Sequence, residues 1–201
     1  MLILIVMIVH KKEVSDRIRN FIKNGKTVVF TYRSFVKDYY NNLTLGEFNP
    51  TNFTDLVGGY VCEVESFQDD QFVNLVGVDE FKNIKGSATV FRDMLKTTTA
   101  KTLFTYEDEF FNDLSAITIN DYEGGKVYYI GSGVDSTIMN ALCEKIINES
   151  NIEKIESEEG VEVVTRYLNN EKYYFVMNHT PYNKKFNNED FGAYEAKIIK
   201  A

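Results

Sequence analysis

Apolar residues recur along the first three quarters of the chain at spacings that predict alternating strands and helices. The unbroken apolar run at residues 2–9 is rich in β-branched side chains and predicts a strand buried on both faces of a parallel sheet. Apolar positions in 14–22 repeat with helical spacing, and Gly25 lies where such a helix would end. A second apolar run at 27–32 completes a right-handed βαβ unit with parallel strands.

The middle of the chain mixes loop and strand signals. Residues 34–52 are rich in Asn, Asp, Gly and Pro and predict a long surface loop, followed by a short helical turn at 53–57. The runs 60–67 and 71–79 predict strands that form an antiparallel pair beside the main sheet, whereas 88–96 fits either a strand or a helix. Further strands are predicted at 101–106, 115–120 and 126–131, and a helix at 136–149.

The pattern changes after an acidic segment at 153–159. The runs 161–168, 173–178 and 194–200 are typical of strands and have no helix between them. We therefore expect two domains, an α/β domain at 1–152 and a small all-β domain at 160–201. The second is too short to build a large core of its own.

Composition excludes several classes of partner. The net charge is −8 and basic residues are scattered, so a nucleic acid is not an expected partner. The run at 2–9 is far shorter than the roughly 20 residues that cross a membrane. The cysteines and histidines are few and lack the short spacings of metal ligands, so we expect reduced thiols in the cytoplasm, no metal and no cofactor.

One motif suggests a ligand site. Gly131, Ser132 and Gly133 follow a predicted strand and precede a predicted helix, as phosphate-binding loops do, and Arg33 ends another strand. The motif lacks the third glycine of a dinucleotide fingerprint and the lysine of a P-loop. It predicts either a plain strand–helix connection or a crevice that binds a small molecule or a sugar.

No residue pattern predicts a catalytic centre. Neither Cys62 nor Cys143 is flanked as a nucleophile on a strained turn would be, although a thiol enzyme stays a third hypothesis. The acidic run 107–109 fits solvated charge, because retaining glycoside hydrolysis needs two carboxyl groups about 5–5.5 Å apart across a cleft.

Several segments resemble, in order along nearly the whole chain, the C-terminal part of glycoside hydrolase family 42 β-galactosidases. These segments are Phe21–Gly25, Thr27–Ser34 with Lys37-Asp38 and Asn41-Asn42, Gly124–Gly131, Gly160–Val164 and Tyr174–Thr180. The chain departs from the family pattern at Lys26 and Phe35, where the family favours glycine.

The resemblance implies a fold and a role. In that family a barrel carries the catalytic glutamates, followed by a trimerisation domain of flavodoxin-like, class I glutamine amidotransferase-like topology and a small β domain. It places the start of this chain inside the trimerisation domain, and no position matches the barrel motifs. The implied function is non-catalytic oligomerisation, through self-association as a homotrimer or with a separate barrel-bearing chain.

The implied truncation has a physical consequence. A buried-type strand at 2–9 that lacks a neighbour would present an open apolar edge. We therefore expect the chain to self-associate or to cover that edge with another segment.

Overall fold

The chain divides into two units, residues 1–151 and residues 152–201. The structure is a computed structural model that describes residues 1–150 and 152–201. Among these residues no helix is long and apolar enough to cross a membrane. The cytoplasmic location stays a prediction.

Residues 1–150 of the first unit form one large sheet, three α-helices and a 3-10 helix at Asp79–Phe81. Its strands are β1 (Leu2–Leu4), β2 (Thr27–Thr31), β3 (Gly59–Ser66), β4 (Val73–Gly77), β5 (Lys85–Thr97), β6 (Lys101–Tyr106), β7 (Ser115–Tyr122), β8 (Gly125–Ile130) and β9 (Ser132–Val134). Its helices are α1 (Lys12–Lys23), α2 (Thr54–Val57) and α3 (Ser136–Glu149).

The sheet is mixed, with the strand order β1-β2-β8-β7-β6-β4-β5-β3 and β9 added beside β5. β1, β2 and β8 are parallel, and the other pairings are antiparallel. The α/β class is thus confirmed, but the parallel arrangement is limited to three strands. Tight turns such as the one between β7 and β8 can join only antiparallel strands.

The predicted βαβ unit is present, but its first strand is shorter and more exposed than predicted. β1 and β2 are parallel with α1 between them, and Gly25 takes a φ of 74° just after the helix. β1 ends at Leu4 because Val6 adopts a φ of 44°, and the Thr31 hydroxyl bonds both the Val6 amide and the Leu4 carbonyl. The expectation of a strand at 2–9 buried on both faces is therefore wrong.

The predicted pairing of 60–67 with 71–79 is also wrong. β3 and β4 do not pair with each other, because β5 lies between them. The ambiguous segment 88–96 belongs to this long strand. Its pattern was ambiguous because Arg92 and Asp93 are charged residues at buried positions.

The two faces of the parallel strands belong to two apolar clusters. Val28, Phe30 and Val127 pack with α1 and α2 on one face. Val29 and Ile130 pack with α3 on the other face. This alternation is what the period of two in a strand requires.

The second unit is antiparallel throughout. Its strands are β10 (Val161–Leu168), β11 (Glu171–Asn178), β12 (Lys184–Phe186), β13 (Glu189–Phe191) and β14 (Ala196–Lys200). β10, β11 and β14 form one sheet in that order and confirm the three predicted strands, while β12 and β13 form a hairpin that was not predicted. Asn187 and Asn188 both have positive φ, as the tightest hairpin turns require.

We predict that Gly58→Ala destabilises the first unit. Gly58 ends α2 with a φ of 68°, and an added Cβ would lie 2.5 Å from the Asn120 side chain. That amide donates to the Leu56 carbonyl at 2.8 Å and so cannot retreat freely. The left-handed backbone alone should lower the free energy of unfolding by about 1–2 kcal/mol, and the clash should lower it further.

Gly46→Ala is the matched control. Gly46 has a φ of 81°, but an added Cβ would meet nothing within 4 Å. The free energy of unfolding of both variants, measured in urea, separates the effect of the left-handed backbone from that of the clash with Asn120. An equal decrease in the free energy of unfolding in both variants would show that the contact with Asn120 does not contribute to the effect of Gly58→Ala.

Candidate functional site

Asp93 of β5 connects the C-terminal ends of the parallel strands β2 and β8. Its side chain is buried, and Oδ2 accepts hydrogen bonds from the Arg33 amide at 2.6 Å and from the Tyr129 hydroxyl at 2.7 Å. Its own amide donates to the Gly131 carbonyl at 2.7 Å. Its carbonyl accepts from the Tyr106 hydroxyl at 3.2 Å. One residue thus fixes the turn after β2 and the segment after β8.

This arrangement brings three of the predicted ligand-binding residues, Arg33, Gly131 and Ser132, close to one another. The Ser132 hydroxyl lies 3.3 Å from that of Tyr106, which also bonds Asp93. A Cβ on Gly131 would lie 2.5 Å from the Asp93 carbonyl oxygen, so this glycine permits close strand packing. Sequence reasoning missed Asp93, although a charged residue inside an apolar run was a usable signal.

The Gly131–Gly133 segment does not form an open phosphate loop. Ser132 and Gly133 belong to β9, which pairs with β5. Asp135 caps α3 by accepting from the Ile138 amide at 3.1 Å and also accepts from the Ser87 amide at 2.6 Å. A carboxylate thus occupies the helix terminus that would attract an anion. Ligand binding by this segment stays a prediction that this geometry does not favour.

Burial has the largest influence on the pKa of Asp93. Removal from water raises the pKa of Asp93, against the opposing effects of the Arg33 amide and the Tyr129 hydroxyl. Oδ1 is buried and has no hydrogen-bond partner among residues 1–150 and 152–201. Oδ1 of ionised Asp93 therefore has no hydrogen bond from these residues to offset its burial.

We predict that Asp93→Asn becomes more stable relative to wild type as pH rises. A raised pKa in the folded state means that wild type loses stability as pH rises from below about 3.8, the ordinary value, through the folded-state pKa. The Asn oxygen can still accept from Arg33 and Tyr129 but carries no charge. Urea unfolding at a series of pH values measures the difference.

Two further variants make this test specific. Asp93→Leu should lower the free energy of unfolding by about 1–3 kcal/mol for each donor left without an acceptor. Asp69→Asn, which removes an exposed carboxylate, is the matched control for the substitution itself. A constant difference between wild type and Asp93→Asn across the pH series would refute a raised pKa for Asp93.

An uncharged groove of about 450 Å³ lies beside β1. Its walls come from β1, β2, the segment after β8, and α3: Met1, Ile3, Ile5, Val6, Val29, Thr31, Tyr32, Ile130, Ser132, Gly133, Val134, Met139, Leu142, Cys143, Ile146 and Ile147. α3 covers only part of this sheet face. Ile3 is 49% exposed and Ile5 is 75% exposed.

The groove adjoins an open strand edge. β1 stands at the end of the sheet order and pairs only with β2 among the described strands. An unpaired edge offers backbone donors and acceptors to another chain, and a contiguous apolar patch marks an interaction site. Within the described residues no group of His, Cys, Asp and Glu could hold a metal ion.

Comparison with known proteins decides the family. The family model of the β-galactosidase trimerisation domain matches residues 1–153. The chain belongs to this family. The resemblance to glycoside hydrolase family 42 is therefore confirmed.

Curated relatives of this trimerisation-domain chain are much longer than it is. A β-galactosidase from Clostridium cellulovorans is 30% identical over 190 residues, which cover 92% of this chain and 27% of that protein. A β-galactosidase from Planococcus sp. strain L4 is 24% identical over 87% of this chain and 26% of that protein. The chain thus spans about a quarter of the length of these relatives.

Solved structures confirm the fold. A β-galactosidase from Bacillus circulans sp. alkalophilus superposes with a TM-score of 0.85 at 22% identity, covering 100% of this chain and 31% of that one. A β-galactosidase from Rahnella sp. R3 gives a TM-score of 0.87 at 22% identity, covering 100% of this chain and 32% of that one. At this identity the likeness concerns the fold alone.

Proposed function

We propose that this chain is a non-catalytic oligomerisation module of a family 42 β-galactosidase. The observation that carries the proposal is the match of the trimerisation-domain model to residues 1–153, within a chain that spans about a quarter of its curated relatives. Its partner is a second copy of this domain, and a homotrimer is the proposed assembly. A separate barrel-bearing chain is the other proposed partner.

The groove beside β1 is the proposed contact surface. Its lining carries no charged side chain, and exposed isoleucines lie on a strand with an open edge. A threefold assembly uses two different patches on each subunit, so this surface would meet a different patch on the next copy. Helices α1 and α3 on opposite faces of the parallel strands support the finer assignment to a flavodoxin-like, glutamine amidotransferase-like topology.

We predict that the pure chain does not hydrolyse a chromogenic galactoside. The module serves assembly, and hydrolysis belongs to the longer enzymes that it resembles. The measurement is the release of the chromophore by the purified 201-residue protein. Turnover that persists through repeated purification would contradict this role.

We predict that Ile5→Lys weakens self-association. A lysine at this exposed position would place a charge in the uncharged groove, where an approaching partner would have to desolvate it. Light-scattering mass measured over a range of protein concentrations should show an oligomer for wild type and a shift toward monomer for the variant.

Ile198→Lys is the matched control. Ile198 is an exposed isoleucine on β14 of the second unit and lies outside the groove. The Ile198→Lys variant should have the same light-scattering mass as wild type. If wild type is a monomer at every concentration, self-association is refuted, and if both variants dissociate alike, the groove is not the contact surface.

A further inference from the structure

The loop between β2 and α2 concentrates exposed apolar side chains in one short segment, residues 39–48, which we call the apolar loop. Every large apolar residue in this segment is exposed, and Leu45 reaches 89%. These residues are Tyr39, Tyr40, Leu43, Leu45 and Phe48. Apolar area gathered in an exposed segment marks an interaction site. The apolar loop shares no residue with the lining of the groove beside β1, so it is a separate surface.

Hydrogen bonds hold the first half of the apolar loop in one conformation. The Asp38 carboxylate accepts from the amides of Tyr40 and Asn42 at 2.9 and 2.8 Å. The Asp38 amide in turn donates to the Asn42 carbonyl at 2.9 Å. A loop that is already ordered loses little conformational entropy when it binds, which favours a role in binding.

The chain is also anchored on both sides of the apolar loop. Before it, the Lys37 amide donates to the Ile8 carbonyl at 3.1 Å. After it, the Val61 amide of β3 donates to the Asn49 carbonyl at 2.8 Å. The exposure of Leu45 is therefore a property of a fixed loop and not of a loose end.

The apolar loop and the groove beside β1 match in charge. Residues 39–46 include no charged side chain, in a chain of which 26% is charged. The lining of the groove has no charged side chain either. Two uncharged apolar surfaces gain free energy when both leave water, whereas a charge on either one would have to be desolvated.

Symmetry requires a surface of this kind. In a threefold assembly each subunit uses two different patches, one of which meets the other on the next subunit. The groove beside β1 is one apolar patch, and the apolar loop is a second one on the same chain. An exposed leucine can enter a concave apolar surface, and the groove is such a surface.

We propose that the apolar loop of one copy docks into the groove beside β1 of the next copy, with Leu43 and Leu45 as the side chains that enter it. This inference rests on the self-association proposed above and names the second surface that a closed ring of copies needs. The partner is a second copy of this chain.

Two variants of the full chain with complementary defects test the contact. Leu45→Lys charges the apolar loop and leaves the groove intact, whereas Ile5→Lys charges the groove and leaves the loop intact. Each change should raise the dissociation constant of self-association about tenfold or more, the effect of one buried leucine or isoleucine. Both positions are largely exposed in the single chain, so the fold should persist in both variants.

A mixture of the two variants gives the decisive measurement. The intact loop of Ile5→Lys can enter the intact groove of Leu45→Lys, so light scattering should detect a complex of two chains at concentrations where each variant alone is a monomer. Leu43→Lys should behave as Leu45→Lys does. Leu168→Lys, which charges an exposed leucine of the second unit, is the matched control and should assemble as wild type does.

The other outcomes overturn the inference and separate it from the proposed function. Wild type that is a monomer at every concentration would refute self-association itself. Wild type that assembles, together with a Leu45→Lys variant that assembles equally well, would refute the role of the loop alone. Weakening by both variants without recovery in the mixture would show that the loop does not dock in the groove. Equal weakening by Leu168→Lys would show that the effect is not specific to the loop.

Discussion

The parallel strands β1, β2 and β8 present two apolar faces, and the fold depends on covering both. Side chains alternate along each strand, so Val28 and Phe30 face α1 while Val29 faces α3. α1 and α2 complete the first face. α3 covers the second face only in part, and the uncovered area beside β1 is the groove. The proposed assembly would remove it from water, since burial of apolar area is the main driving force of association.

The buried carboxyl group of Asp93 links the C-terminal ends of β2 and β8. Asp93 accepts from the Arg33 amide, where the chain leaves β2 in a left-handed conformation with φ 59°. It also accepts from Tyr129 on β8. The same strand, β5, therefore ties the antiparallel half of the sheet to its parallel half. Burial of the Asp93 carboxyl group is unfavourable, but this group accepts hydrogen bonds from donors on or just after two neighbouring strands.

The sequence predicted local structure better than pairing. α1, α3 and β6 follow from spacing alone, because their apolar periods are regular. The place of β5 between β3 and β4 could not be predicted, since pairing order is set by packing across the sheet rather than by local pattern. The long extension of the strand through Arg92 and Asp93 was hidden by their charges. Arg92 pairs with Glu65 and Asp108, and Asp93 accepts from Arg33 and Tyr129, all distant in sequence.

The candidate site was predictable only in fragments. The place of β1 at the end of the described sheet could be expected from an apolar run, although that run predicted a longer strand at 2–9. The groove lies between β1 and α3, which are more than 100 residues apart in the sequence. Local patterns therefore could not predict it. Arg33, Gly131 and Ser132 were predicted as ligand-binding residues, which stays a prediction, and Asp93, which contacts them or their neighbours, was not predicted.

Thiol labelling tests the central claim that assembly covers the groove. Cys143 lines the groove, whereas Cys62 is exposed elsewhere in the same unit, so one chain carries both probe and control. Alkylation rates of both thiols can be measured by mass spectrometry at low and high protein concentration. The account predicts that Cys143 becomes protected relative to Cys62 as concentration rises. A ratio of rates that does not change with concentration, in a sample that does assemble, would contradict it.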